Sequence, residues 1–173
     1  MCRKKKAWEN GWVMTQASLS SPLAPVPPDT RIAIVRSSYY PDLLSSMEET
    51  ARSTLQEGGV RLENIQSIRA PGAFEIPLLC KTLAATGSVH GFLALGVIVQ
   101  GETHHAGEIA RACTDGLIQV QLEYGLPISH GVLFVDTLQH AKDRCLGRGN
   151  KGIEVARSLL QMLSVIQTVT TSY

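Results

Sequence analysis

The run Gly91-Phe-Leu-Ala-Leu-Gly-Val-Ile-Val99 holds no polar side chain, and after Gln100 it gives way to Gly101-Glu-Thr-His-His-Ala-Gly-Glu108. An apolar run with no polar alternation reads as a strand buried on both faces, the kind found inside parallel sheets. A strand that breaks at glycine and opens into a helix leaves the first helical N–H groups unpartnered, at the positive end of the helix dipole. That geometry favours anions such as phosphate. Two histidines in the first turn add groups that exchange protons near neutral pH. By residue type alone His104 and His105 are equivalent. Adjacent helical residues point about 100° apart, so the pair does not converge readily on one metal ion.

The same alternation of strand and helix extends in both directions. Arg31-Ile-Ala-Ile-Val35 is a short β-branched run, and Pro41 and Asp42 suit the start of a helix whose stripe is Leu43, Leu44, Met47, Ala51 and Leu55. Gly58-Gly59 ends it. A second strand is expected within 64–69, followed by Ala70-Pro-Gly-Ala-Phe-Glu-Ile-Pro77, a turn that runs into a helix through Leu83 and Ala84, closed by Gly87. A long helix is expected over about 103–124, with Ile109, Ala112, Cys113, Gly116, Leu117, Val120 and Gln121 on its inner side. The fourth strand is His130–Val135, with Asp136 or Thr137 capping a short helix to about Cys145. Gly147–Gly152 reads as a loop and Ile153–Val165 as the final helix. The fold class is therefore α/β, a three-layer αβα sandwich around a four-stranded parallel sheet of the flavodoxin-like, doubly wound type. In such sheets ligands sit at the carboxyl ends of strands. Those ends are Arg36–Tyr40, Ala70–Glu75, Gln100–His105 and Asp136.

Composition narrows the function. The 173 residues carry a net charge of +1, which gives no basic face for nucleic acid. No apolar segment approaches the ~18 residues that would span a membrane, and the N-terminal Arg3–Lys6 run lacks the apolar core of a signal peptide, so a cytoplasmic location is expected. The four cysteines are widely separated, without a C-x-x-C pair, and Cys80 and Cys113 read as buried small hydrophobes. Residues 1–30 read as a flexible arm, since Ser18–Pro28 contains three serines and four prolines. The domain proper is expected over 31–173. Arg36-Ser-Ser-Tyr-Tyr40 carries neither a P-loop nor a dinucleotide glycine fingerprint. His90 is expected to be a solvated turn residue.

Taken together, Pro71-Gly-Ala-Phe-Glu-Ile-Pro77, the G-x-T-x-H of Gly101–His105 and Asn150-Lys-Gly152 resemble the 6,7-dimethyl-8-ribityllumazine synthase family over about residues 31–165. The resemblance implies condensation of 5-amino-6-(D-ribitylamino)uracil with 3,4-dihydroxy-2-butanone 4-phosphate, without metal or organic cofactor. An imine forms, phosphate is eliminated, and a second amine closes the ring. It further implies that Tyr39 stacks on the pyrimidine and that Gly72, Ala73, Phe74 and Glu75 hold the ribityl chain. Ile98 and Val99 would meet the uracil edge, Gly101, Glu102 and Thr103 the phosphate, with the Glu102 side chain turned away. His105 would shuttle protons, leaving His104 a bystander.

Arg144 would pair with the phosphate and Lys151 would lie near the heterocycle. His130 stands where the family usually has a Phe that closes a neighbour's pocket, and Ser38 where Arg is common. The implied partners are copies of the same chain, as a pentamer or a 60-subunit shell, and riboflavin synthase. The arm would lend a strand to a neighbour's sheet, although its prolines remove ladder donors. Two other readings compete. One is a non-catalytic relative that binds lumazine or flavin in a ring or shell, motivated by His130 and Ser38. The other is a flavodoxin-like module for a different phosphorylated metabolite, argued from fold alone.

Overall fold

In the computed structural model, which describes residues 26–171, all four strands run the same way. They are β1 (Ile32–Ser37), β2 (Ile65–Ala70), β3 (Gly91–Val99) and β4 (Ile128–Val135), in the order β2-β1-β3-β4. Five helices cover them: α1 (Pro41–Glu57), α2 (Ile76–Ala84), α3 (His105–Tyr124), α4 (Leu138–Cys145) and α5 (Lys151–Thr171). The expected strand exchange by the arm concerns mostly residues 1–25, outside the described residues. Residues 26–30 form a turn, with Thr30 N donating to Pro27 O and Asn64 Nδ2 to Pro28 O.

Strand alternation divides the core. Ile32 and Ile34 of β1, with Leu93 and Leu95 of β3, pack under α1, α4 and α5. Ala33 and Val35, with Phe92 and Ala94, pack under α2 and α3. Each fully buried Leu, Ile or Phe contributes ~1.5–3 kcal/mol relative to exposure. Because β1 and the first eight residues of β3 are buried throughout, neither central strand has a solvent-exposed face.

Several local expectations change on inspection. His90 is not a bare turn residue. Its Nδ1 accepts a hydrogen bond from Arg31 N at 2.8 Å while its own N–H donates to Arg31 O at 2.8 Å, which ties the starts of β1 and β3 together. Ala112 faces solvent, since α3 presents Cys113, Leu117 and Val120 inward and Ala112 lies about 100° round from Cys113. α3 begins at His105, two residues later than expected. Thr137, not Asp136, caps α4 by accepting from His140 N at 3.2 Å.

The largest change concerns 147–152. Instead of a loop, Gly147–Gly149 forms a single 3₁₀ turn and α5 begins at Lys151 and runs to Thr171. The cause is Asn150, which is 4% exposed. Its Nδ2 donates to Cys145 O at 2.5 Å, Thr50 Oγ1 at 3.0 Å and Ser46 O at 3.2 Å, and its Oδ1 accepts from Gly152 N at 2.8 Å. One buried amide thus joins α1, α4 and the start of α5. Gly152 permits the approach, because a Cβ there would sit 2.2 Å from Met47 O. Glycine and asparagine usually mark a break in structure. Here they mark a contact.

Two predictions follow from this packing. Gly152→Ala forces backbone against backbone and should destabilise by roughly 1–3 kcal/mol or more, read as a lower urea midpoint at unchanged m-value. The second concerns the thiols. Burial raises Cys80 to about 12, with nearby Cys113 adding to the effect, and raises Cys113 and Cys145 each to about 11. Unfolded thiols ionise near their ordinary value of 9.0, so as pH climbs above that the unfolded state gains charge first. This contribution therefore lowers stability in alkali and is silent at neutral pH. Iodoacetamide at pH 8 should leave Cys80, Cys113 and Cys145 unmodified in the native protein and modify them in urea, as mapped by mass spectrometry.

Candidate active site

A cleft of about 480 Å³ opens at the carboxyl ends of β1 and β3, between the loop that leads into α2 and the first turn of α3. The β1–α1 turn supplies Tyr39 and Tyr40, and the β2–α2 loop supplies Gly72, Ala73, Phe74 and Glu75. Val97, Ile98 and Val99 come from the tip of β3, followed by Gly101, Thr103 and His105 from the turn and the start of α3. Ala106 and Ile109 complete the wall.

Two rings in this cleft are left largely in water, Tyr39 at 67% exposure and Phe74 at 59%. Every other phenylalanine or tyrosine among the described residues is less exposed or packs elsewhere; Phe92 is wholly buried. Exposed aromatic faces beside a concave wall suit a flat ligand.

Tyr40 adopts φ 52°, ψ 57°, the sole non-glycine positive φ among the described residues. It precedes Pro41, which disfavours the right-handed region for it, and a left-handed conformation costs a non-glycine residue about 1–2 kcal/mol. The turn keeps Tyr40 on the cleft wall beside Tyr39.

Gly72 sits between Tyr39 and Glu75. A Cβ at this position would lie 3.0 Å from Glu75 Oε2 and 3.6 Å from Tyr39 Cε2. The loop is braced from below by a second glycine, since a Cβ on Gly116 of α3 would come within 2.8 Å of the Pro77 ring. Opposite the carboxylate, α3 starts without a side-chain cap, and its first intrahelical bond is Glu108 N to His104 O at 3.2 Å. The N–H groups of His105, Ala106 and Gly107 therefore have no intrahelical acceptor.

The structure separates the two histidines. His105 lines the cleft, whereas His104 lines a different groove with Glu108, on the other side of the 101–104 turn. Glu102 is exposed and does not line the cleft. Three of the sequence-predicted residues lie elsewhere in the protomer. His130 pairs with Ala94, which is ~13 Å along the sheet from Ile98 at about 3.3 Å per residue. Its Nε2 lies 3.0 Å from Thr114 Oγ1, and desolvation against α3 lowers its pKa, partly opposed by a backbone hydrogen bond. Arg144 is exposed near the end of α4, in the opposite helix layer. Lys151, at the start of α5, is engaged by Glu154. Ser38 bonds Ala70 O at 2.8 Å and so ties the ends of β1 and β2.

The sequence reading did not single out Tyr40, Val97, Ala106 or Ile109. Ile109 stands four residues after His105 on one helix face, a spacing that would have paired them. Tyr40 adjoins Tyr39 but nothing in the sequence signals its left-handed turn. No signal points to Val97.

Comparison with known families matches residues 29–167 to 6,7-dimethyl-8-ribityllumazine synthase. The chain belongs to this family. It is accordingly a transferase of riboflavin biosynthesis. The match takes in all four strands and both walls of the cleft, and it also spans His130, Arg144 and Lys151. Among the described residues no cluster of three or more His, Cys, Asp or Glu could hold a metal ion. No described helix is long and apolar enough to cross a membrane.

A substitution in this cleft separates architecture from ligand contact. Gly72→Ala places a methyl against the flexible end of Glu75, so Glu75 shifts while the fold keeps its backbone. The expected outcome is a thermal midpoint close to that of the parent and, on the expectation from sequence that Glu75 holds a ribityl chain, at least ~10-fold weaker binding of a ribityl pyrimidine, the scale of one lost charge-assisted hydrogen bond. Equal affinity by titration calorimetry would show that the carboxylate's position is immaterial.

Proposed function

We propose that the protein condenses 5-amino-6-(D-ribitylamino)uracil with 3,4-dihydroxy-2-butanone 4-phosphate to give 6,7-dimethyl-8-ribityllumazine, phosphate and water. The observation that carries this reading is the company kept in one cleft. Tyr39 and Phe74 offer ring faces, Glu75 a carboxylate, His105 an imidazole, and the adjoining turn unpaired backbone N–H groups. Each has a use in that reaction. The pyrimidine stacks on Tyr39, and the ribityl hydroxyls donate to Glu75 while Gly72 and Ala73 leave room for the chain. Ile98 and Val99 border the uracil edge, and Gly101 and Thr103 cradle the phosphate.

His105 then moves protons as the first amine adds to the ketone and water leaves, as phosphate is expelled, and as the second amine closes the ring on the remaining carbonyl with loss of a second water. Imidazole suits these steps because it both donates and accepts near neutral pH. Among the described residues no Lys or Arg lines the cleft of a single protomer. A dianion bound beside Glu75 calls for a cation, and we assign that role to Arg144 of an adjacent subunit. His130 would close the neighbouring pocket, and Lys151 would approach the heterocycle only on release from Glu154. Exposed Ile118, Leu122 and Phe134 on the α3 and β4 side support assembly into rings or shells. In this reading the segment ahead of the 26–30 turn acts as an arm on that assembly.

Purified protein supplied with both substrates should form fluorescent lumazine and free phosphate in equal amounts. Folded, assembled protein that yields neither would refute the reaction. Tight lumazine or flavin binding without turnover would instead favour a storage role. His105→Ala should lower kcat by up to ~10²–10⁴-fold, and less where spontaneous condensation supplies a background, while sparing pyrimidine affinity. Arg144→Ala should raise KM for the phosphorylated substrate most. An unchanged KM would remove Arg144 from the phosphate site.

A further inference from the structure

The turn at 101–104 separates two concavities. Gly101, Thr103 and His105 face the cleft, while Gln100 and His104 face the groove behind it. Gln100 follows the last residue of β3, and its backbone N–H donates to Val135 O at 2.8 Å, which anchors it to β4. From that fixed base its side-chain Nε2 donates to both Gly101 O at 2.8 Å and Thr103 O at 2.9 Å. Both carbonyls are thereby drawn toward the groove. A trans peptide is planar, and its N–H points opposite to its C=O. The Gly101 carbonyl shares a peptide with Glu102 N–H, and the Thr103 carbonyl shares one with His104 N–H. Those two N–H groups are therefore turned away from Gln100 and from the groove it faces. Among the described residues neither has a protein acceptor.

We propose that Gln100 is a positioning residue: by holding two carbonyls from behind, it aims the Glu102 and His104 N–H groups at the phosphate of the substrate. The inference rests on the reaction proposed above for its ligand. It explains how a turn carrying the acidic Glu102 presents a donor surface. It also gives the primary amide a specific task, because one Nε2 with two hydrogens serves both carbonyls. Gln100 touches no substrate and acts through the backbone.

The test uses assembled full-length protein and three variants. Gln100→Met keeps the length and removes the donor, Gln100→Ala removes the side chain, and Gln100→Lys keeps a donor. Inorganic phosphate binding is measured by titration calorimetry, and KM and kcat are measured separately for each substrate. Gln100→Met and Gln100→Ala should weaken phosphate binding and raise KM for the phosphorylated substrate by about tenfold, the scale of one to two net hydrogen bonds. The pyrimidine KM should stay within twofold, which reports an intact fold, and Gln100→Lys should bind phosphate at least as well as the parent. Equal phosphate affinity in Gln100→Met, a parallel rise in both KM values, or failure of Gln100→Lys to bind would each overturn the assignment. So would absence of phosphate binding by the parent protein. Phosphate binding that depends on Gln100 in a protein without turnover would uphold this inference while refuting the reaction.

Discussion

The geometry of the whole molecule rests on the register between β1 and β3. At the start of that pair the Arg31 and His90 backbones and the His90 ring exchange two hydrogen bonds of 2.8 Å, and Ile32 opposes Gly91. Side chains alternate along a strand, so a slip of one residue would send Ile32 and Ile34 toward α2 and α3 and expel Ala33 and Val35 to the other layer. The two layers are not interchangeable. Small residues of β1 face α2 and α3, where Phe92 fills the space, and the branched pair faces α1. A slip would also displace the carboxyl ends by about 3.3 Å relative to one another. The cleft is built from both of those ends, so the pairing at the bottom of the sheet fixes the distance between Tyr39 and His105 at its top.

Close backbone approach then does what side chains cannot. Gly116 lets Pro77 sit against α3, and Pro77 in turn holds the loop that carries Phe74 and Glu75. On the opposite layer Gly152 and Asn150 lock α5 and α4 to α1. The site is thereby set on rigid elements, with short segments between them. Its ring faces remain exposed because the sheet tip offers nothing to cover them. What the described residues do not bring to one protomer's cleft is a Lys or Arg side chain. On the proposed reading the missing charge comes from another copy, so binding of the phosphorylated substrate depends on assembly as well as on folding.

The elements and their parallel arrangement were legible because hydrophobic period and glycine punctuation are local signals. The strands read at 31–35, which the structure extends to Ser37, and at 91–99, with the stripe of α1, needed nothing else. The site was legible in a different way, through the order and spacing of the 71–77 and 101–105 strings. Residue chemistry alone left His104 and His105 equivalent; the G-x-T-x-H spacing assigned them different roles, and the fold puts them in different concavities. Asn150, Gly152 and His90 were misread for a common reason. Each looked like a breaker or a solvated polar residue, and each owes its role to a partner far away in sequence: Ser46 and Thr50 for Asn150, Met47 for Gly152 and Arg31 for His90. Gln100 was overlooked because its acceptors are main-chain atoms, which no side-chain pattern records.

The strained turn at Tyr40 needs a counterweight, and the structure supplies one beneath it. Arg36, 5% exposed at the end of β1, places Nε 2.6 Å from Glu48 Oε2 on α1. The N–H does not point along that line, so the contact is one of charge more than a hydrogen bond. Glu48 Oε1 also receives Arg52 Nε at 3.0 Å, and Arg52 reaches on to Ile65 O at the start of β2. Replacing such a buried network by apolar side chains is often neutral or stabilising, whereas removing one member costs ~3–5 kcal/mol. Its value here is therefore better sought in direction than in net stability. A charge buried at the end of β1 can be satisfied only if α1 lies where Glu48 meets it. That placement leaves the chain three residues, Ser38 to Tyr40, in which to leave the sheet and enter the helix at Pro41. Proline disfavours the right-handed region for Tyr40, and across this short connection Tyr40 takes the left-handed turn. The ~1–2 kcal/mol of strain is small against the cost of unpairing Arg36. The buried charge thus accounts for the tight turn, and the tight turn for the two tyrosines standing at the mouth of the cleft.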